Sequence, residues 1–193
     1  PAPTSLPLVL GTRSSHRRMV MDKLGWEHSC ASADIDEKAI RHEDTLKMVV
    51  AIAEAKAAAL MDQAPKPSIL ITADQVCEFE GKVREKPEGI EEAREFLSSY
   101  SNNHVFTVSG MVVTNTETGK KASGTHTASV CWGEIESDAI ERVITRGVVM
   151  SCAGGFAIED PDLKTLVMSV EGGVDSVYGL PIDLMIKLIK EVV

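Results

Sequence analysis

Short apolar runs alternate with amphipathic stretches along this chain, the pattern of strands packed against helices. Residues 6–10 form an apolar run that stops at the polar segment 11–18, after which Met19, Val20, Met21 and Leu24 fall at roughly helical spacing, predicting strand, loop and helix. Ser14 or Ser15 suits the N-cap of that helix, and the free N–H groups of its first turn suit a phosphate. Arg17 and Arg18 in the same turn oppose the helix dipole. A bound anion would remove that cost, and a solvated basic turn would simply bear it. Residues 27–33 read as a second strand running into the acidic loop Asp34-Ile35-Asp36-Glu37, whose carboxylates are either solvated or share a cation.

Between residues 43 and 61, Leu46, Val49, Val50, Ala53, Ala57 and Leu60 mark one apolar helical stripe in an alanine-rich segment. Lys56 lies beside that stripe, where a lysine either reaches along the buried face or, as the commoner outcome, snorkels to the surface. Pro65 and Pro67 break the chain before a strand at 68–79, in which Asp74 follows the apolar run Ile69, Leu70, Ile71. An Asp so placed is a strand-end turn residue or a working acid. Glu80-Gly81 suits a tight turn, and Pro87 keeps Lys86 out of a helix.

An amphipathic helix is predicted over 90–100, then two β-rich runs, 104–115 and 126–135, joined as a long hairpin across 116–124. Ser137 is the expected cap of a further helix that ends at Gly147. Residues 152–161 read as a glycine-containing loop carrying Glu159 and Asp160, 166–170 as a strand, 172–181 as a second glycine loop, and 182–193 as a C-terminal helix opened by Pro181.

Composition narrows the class. A chain of 193 residues with 44% hydrophobic and 25% charged residues is long enough for one well-buried α/β domain, and its net charge of −9 disfavours nucleic-acid polymers and anionic membranes as partners. A local Arg/Lys cluster can still bind a phosphate. The apolar stretch 48–61 contains Glu54 and Lys56, which a membrane span tolerates poorly, and residues 1–7 lack a basic start and a sustained apolar stretch, so no secretory signal is expected. Cys30, Cys77, Cys131 and Cys152 are spread without a Cys-x-x-Cys pair, which reads as buried free thiols in a reducing cytoplasm.

Neither a Gly-x-Gly-x-x-Gly turn, a P-loop, a Gly-x-Ser-x-Gly elbow nor a His-x-x-x-His pair occurs. What remains is a set of phosphate-binding cations with carboxylates. Hydrolysis of a phosphoanhydride requires cations for the phosphates, oxygen ligands for a divalent metal and a group that deprotonates or orients water. Arg17, Lys56 and Lys86 suit the first, Glu37 with an acidic neighbour the second, and Asp74 the third.

Thr12-x-Ser14-x-x-Arg17, Asp36-Glu37, Lys56, Ala73-Asp74, Lys86-Pro87, Ala153-Gly154 and Val177-x-Gly179-Leu180-Pro181 occur in an order that resembles the Maf family of nucleoside triphosphate pyrophosphatases, once called septum-formation proteins. The resemblance spans nearly the whole chain, as one Maf-like pyrophosphatase domain over 1–193. It implies an elongated α/β mixed-sheet fold like that of inosine triphosphate pyrophosphatases, with two lobes around a central cleft, and a cytoplasmic homodimer. It also implies conversion of a nucleoside triphosphate to monophosphate and pyrophosphate with Mg²⁺, Mn²⁺ or Co²⁺. On that resemblance Asp74 is the proton acceptor, Ser14, Arg17, Lys56 and Lys86 hold phosphates, and Glu37 helps bind metal.

The family divides by base, and the resemblance places His16, Gln75 and Glu159 at the discriminating positions. Gln and Glu there point to 7-methyl-GTP, whereas His16 departs from the Trp of that branch. A carboxylate such as Glu159 accepts both the N1–H and the exocyclic amino group of guanine, and a cationic methylated base favours it further. A dTTP/UTP-preferring pyrophosphatase of the same family and a nucleotide-binding regulatory protein without turnover stand as alternatives.

Overall fold

The computed structural model describes residues 1–193. Seven strands and six helices follow one another as β1 (Leu8–Gly11), α1 (Ser15–Leu24), β2 (His28–Ala31), α2 (Thr45–Leu60), β3 (Ile69–Phe79), β4 (Lys82–Arg84), α3 (Ile90–Tyr100), β5 (His104–Asn115), β6 (Lys121–Trp132), α4 (Ser137–Arg146), β7 (Val167–Glu171), α5 (Val174–Val177) and α6 (Ile182–Val192). The fold is α/β with one mixed sheet in the order β2-β1-β3-β5-β6-β7, and β4 pairs with β3. By contacts the chain forms two compact units: residues 1–75, 108–126 and 175–193 make the first, and 76–107 with 127–174 the second.

In the first unit β1 pairs in parallel with both β2 and β3, Leu8 opposite His28 on one side and Ile69 on the other. Because successive side chains point to opposite faces of a sheet, β1, β3 and β5 each feed two cores. Leu8, Leu10, Ile69, Ile71, Met111 and Val113 pack with Val20 and Met21 of α1 and Met185, Leu188, Ile189 and Val192 of α6. Val9, Leu70 and Val112 pack on the opposite side with Ala53, Ala57 and Leu60 of α2. Both faces are covered, which is why these strands read as continuous apolar runs. The approach of α2 is close: a Cβ on Gly110 of β5 would lie 2.5–2.7 Å from the backbone of Val49 and Val50.

In the second unit the far end of β3 pairs antiparallel with β4, and β6 with β7. Phe79, Tyr100, Phe156 and Trp132 meet in successive edge-to-face contacts at 5.3–5.8 Å between centroids. The Arg84 guanidinium lies 4.5–5.0 Å from the ring centroids of Phe96, Phe79 and Tyr100 and donates to Ser99 Oγ at 2.6 Å.

Several local expectations are corrected. The cap of α4 is Glu136, with Ser137 as first helical residue and no side-chain cap bond. The hairpin turn is shorter than 116–124, since β6 starts at Lys121 and Asn115 Oδ1 organises the turn by accepting from Glu117 and Thr118 N–H. Residues 152–161 hold a short 3-10 turn, Ala153–Gly155, and the second glycine loop contains α5. Cys77 and Cys152 are buried thiols as expected, but Cys30 is exposed, on a strand with a neighbour on one side only. No helix is long and apolar enough to cross a membrane.

Candidate active site

Asp74 sits inside β3, not at its end. Along that strand Leu70, Thr72 and Asp74 share the face turned to α2. Thr72 Oγ1 donates to the Ala53 carbonyl of α2 at 2.8 Å, and two residues on, Asp74 Oδ1 accepts from Lys56 Nζ at 2.8 Å. One strand step of two residues is thereby matched to one helical turn, and Lys56, beside the apolar stripe, is buried. This corrects the snorkelling expectation: the ammonium is satisfied inside, by Asp74, by Glu37 Oε1 at 3.0 Å and by the Ala73 carbonyl at 3.4 Å. Glu37 comes from a 3-10 turn, Glu37–Ala39, capped by Asp36, whose carboxylate accepts from Ala39 N–H. The acidic loop thus shares a cation through Glu37.

Arg17 arrives from the opposite side of the strand. Its Nη1 donates to the same Ala73 carbonyl at 2.9 Å and its Nε to the Gly179 carbonyl at 2.8 Å. Burial pushes its pKa down, while the charges of Asp74 and Glu37 oppose that shift. Gly179 permits the approach: its φ is +83°, and a Cβ there would sit 3.1 Å from Arg17 Nε. Ser14 is the N-cap of α1, accepting from Arg17 N–H at 3.3 Å, so Ser14, Arg17, Lys56, Asp74 and Glu37 are gathered within one unit.

Gln75 follows on the other face of β3. Its Nε2 donates to the Ser176 carbonyl at 2.8 Å and to Ser109 Oγ at 3.0 Å. A backbone carbonyl only accepts, so the amide orientation is set and Oε1 is the group left to meet a ligand. Ser176 Oγ in turn pairs with His126 Nδ1 at 2.8 Å. The His16 ring is stacked on Tyr178, centroids 5.3 Å apart and planes 5° off parallel. Ser109, His126, Ser176 and Tyr178 escaped the sequence reading because each acts through a partner far along the chain. The only signal was the glycine loop at 172–181, whose residues turn out to touch His16, Arg17 and Gln75.

Lys86 and Glu159 belong to the second unit, and both are exposed. The segment bearing Lys86 is pinned where the Gly154 N–H donates to the Glu85 carbonyl at 2.9 Å. Burial pushes the Cys152 thiol up to about 11, with Glu159 adding to the rise and Lys86 opposing it. Asp160, the extra carboxylate after Glu159, is buried and structural: it receives Arg146 through two bonds of 2.6 and 2.8 Å and accepts from Asp162 N–H at 3.0 Å.

The donor set can be tested for a divalent metal. No group of three or more His, Cys, Asp or Glu side chains is arranged to hold one. Glu37 and Asp74 are brought to either side of one ammonium at 3.0 and 2.8 Å. Two carboxylates completed by substrate phosphates and water are what Mg²⁺ takes from a protein, so these residues fit an ion that arrives with a nucleotide.

The profile of the Maf-like protein family matches residues 7–192. A 7-methyl-GTP pyrophosphatase of Dictyostelium discoideum is 40% identical over 196 residues, covering 98% of each chain. A dTTP/UTP pyrophosphatase of Acholeplasma laidlawii is 31% identical, covering 95% of each chain. A nucleoside triphosphate pyrophosphatase of Chlamydia muridarum is 30% identical, covering 95% of this chain and 93% of its own. Among solved structures, a nucleoside-triphosphatase/dITP/XTP pyrophosphatase of Mycobacterium abscessus aligns at 8% identity and a TM-score of 0.41, covering 68% of this chain and 77% of its own. With the family profile running almost from end to end and relatives at this identity over nearly their full length, the chain belongs to the Maf-like protein family.

Proposed function

We propose that the protein hydrolyses a nucleoside triphosphate to the monophosphate and pyrophosphate in a metal-dependent reaction, with 7-methyl-GTP as the preferred substrate. The observation that carries this reading is the buried Asp74, held by Lys56 at 2.8 Å with Arg17 and Lys56 converging on the adjacent Ala73 carbonyl, in a chain of the Maf-like family. Asp74 Oδ1 is engaged by Lys56, which leaves Oδ2 to take a proton from water. The water oxygen bonds to the α-phosphorus, the bond from that phosphorus to the bridging oxygen breaks, and pyrophosphate leaves. Arg17, Lys56, Lys86 and the Ser14 hydroxyl neutralise and position the phosphates. A divalent cation, Mg²⁺, Mn²⁺ or Co²⁺, which Glu37 would help hold, would supply further neutralisation of phosphate charge.

Base choice is assigned to His16, Gln75 and Glu159. Glu159 accepts the paired N–H donors of guanine, and Gln75 offers Oε1 as an acceptor. Preference for dTTP or UTP is the second reading, because an acceptor at Gln75 also suits the single N–H of a pyrimidine, and one relative is a dTTP/UTP pyrophosphatase. The proposal carries with it a cytoplasmic homodimer, the second half checked by light scattering during gel filtration.

The test is a rate comparison of 7-methyl-GTP, GTP, UTP, CTP and dTTP with Mg²⁺ or Mn²⁺, reading both pyrophosphate and monophosphate. 7-methyl-GTP should be fastest, and Asp74→Asn should abolish turnover in a folded protein. Faster UTP or dTTP would move the assignment to the second reading. Binding without pyrophosphate release across the panel would leave a regulatory nucleotide-binding protein instead.

A further inference from the structure

Three residues of one short segment hold three residues assigned to the nucleotide. The Ser176 carbonyl accepts from Gln75, the Gly179 carbonyl accepts from Arg17, and the Tyr178 ring is stacked on His16. The first two contacts are hydrogen bonds that a ligand residue needs in order to be satisfied. The third is different in kind, because neither ring needs the other for a hydrogen bond, yet the planes lie within 5° of parallel.

We propose that Tyr178 is a specificity-determining residue that acts through His16: it sets the plane of the imidazole, and the two rings together make the platform on which the base of the nucleotide stacks. The proposal rests on the nucleotide reading above and deepens it. Tyr178 is packed against the apolar cluster that includes Met21 and Leu180, so its position is set by the core. Lys23 Nζ lies 5.9 Å from the same ring. His16 and Lys23 are seven residues apart on α1, two helical turns along one face, so Tyr178 runs beside that face. At 5.3 Å between centroids no base fits between the rings, so in this proposal the base meets the face of His16 turned away from Tyr178.

An imidazole alone offers little area and turns freely about its side-chain torsions. Backed by a fixed phenol it becomes a preorganised surface, and the ordering cost is removed before the ligand arrives. Because the base meets His16 and not the phenol, the contribution of Tyr178 is this preorganisation and not a contact of its own with the base. The ligand class is that of the reading above, a nucleotide with a methylated purine, and Tyr178 supplies the fixed orientation that an unsupported imidazole lacks.

The experiment compares binding of 7-methyl-GMP and of inorganic pyrophosphate to wild type, Tyr178→Leu and Tyr178→Phe by calorimetry, with KM and kcat for 7-methyl-GTP alongside. Loss of the pre-set imidazole plane should weaken 7-methyl-GMP and raise KM about tenfold for Tyr178→Leu, with kcat and pyrophosphate affinity within about twofold of wild type. Tyr178→Phe keeps the ring and should behave as wild type. Should leucine at 178 fail to fold, His16→Ala reads the same stack from the half-buried partner, with the same expected loss. The proposal is overturned if the variants bind 7-methyl-GMP as wild type does, if pyrophosphate affinity falls as far as 7-methyl-GMP affinity, or if wild type does not bind 7-methyl-GMP. Tyr178-dependent binding of 7-methyl-GMP in a protein that releases no pyrophosphate would support the platform and remove the hydrolytic reading, so the two fail separately.

Discussion

Lys56 Nζ stands 2.8 Å from Asp74 Oδ1, and both side chains are only one-tenth exposed. Glu37, the second carboxylate on the same ammonium, is about half exposed and can be resolvated if the lysine is lost. Asp74 cannot. Removing one partner of a buried pair costs about 3–5 kcal/mol, because the remaining charge is left without compensation. Lys56→Met should therefore lose about 3 kcal/mol in urea denaturation as well as activity. Adding Asp74→Asn should restore most of the stability and none of the turnover, which separates the structural from the chemical role of the pair.

Arg17 places two of its donors on carbonyls, Ala73 and Gly179, and is buried. Arg17→Lys cannot reproduce both bonds and still present charge to a phosphate. With charge-assisted hydrogen bonds worth about 1.5–3 kcal/mol each, kcat/KM should fall about 10- to 100-fold. Burial that depresses the pKa of the arginine will depress that of a lysine too, and the lysine starts lower. The deficit should widen as pH rises above neutrality, since the lysine loses its proton where arginine keeps it. A pH series of kcat/KM for both proteins checks this.

Gly110→Ala should be among the costlier single changes in the first unit. The new Cβ would meet Val49 and Val50 backbone at 2.5–2.7 Å, and backbone cannot rotate out of the way. Overpacking of this kind costs about 3 kcal/mol when nothing flexible yields. Because α2 also carries Lys56, turnover should fall with thermal stability, and both are read from one purified variant.

Asp162 accepts from Arg142 at 2.7–2.9 Å and from Arg146 at 2.5 Å, and these bonds hold its carboxyl below the usual carboxylate range. Glu141, paired with Arg94, is lowered in the same way. In the unfolded chain both return to ordinary values. As pH falls through about 4 the unfolded state takes up protons first, so the stability these pairs contribute, present at neutral pH, is lost on acidification. Denaturation midpoints between pH 7 and pH 3 should drop less steeply for Asp162→Asn than for wild type.

Much of the scaffold could be read from residue order because its signals are local. The helix predicted over 90–100 and the strand over 104–115 coincide with α3 and β5, and Gly147 closes α4 as predicted, in the left-handed conformation that glycine adopts readily. Asp74 and Lys56 were visible as chemically unusual residues beside apolar patterns. Their order along the chain placed both in one site, but their direct ion pair was not visible, since a lysine next to a buried stripe looks the same whether its ammonium reaches water or a carboxylate 18 positions away.

By itself, then, the sequence determined the α/β class, most element boundaries and, through the order of its motifs, the family, because periodicity, caps and turn residues act over a few positions. Tertiary structure alone decided that Lys56 joins Asp74 to Glu37, that Arg17 and Lys56 share the Ala73 carbonyl, and that the Gln75 amide and the His16 ring are oriented by Ser176 and Tyr178. The physical reason is distance along the chain: Gln75 and Ser176 are 101 residues apart, and only the folded sheet and its helices bring such a donor and acceptor within 2.8 Å.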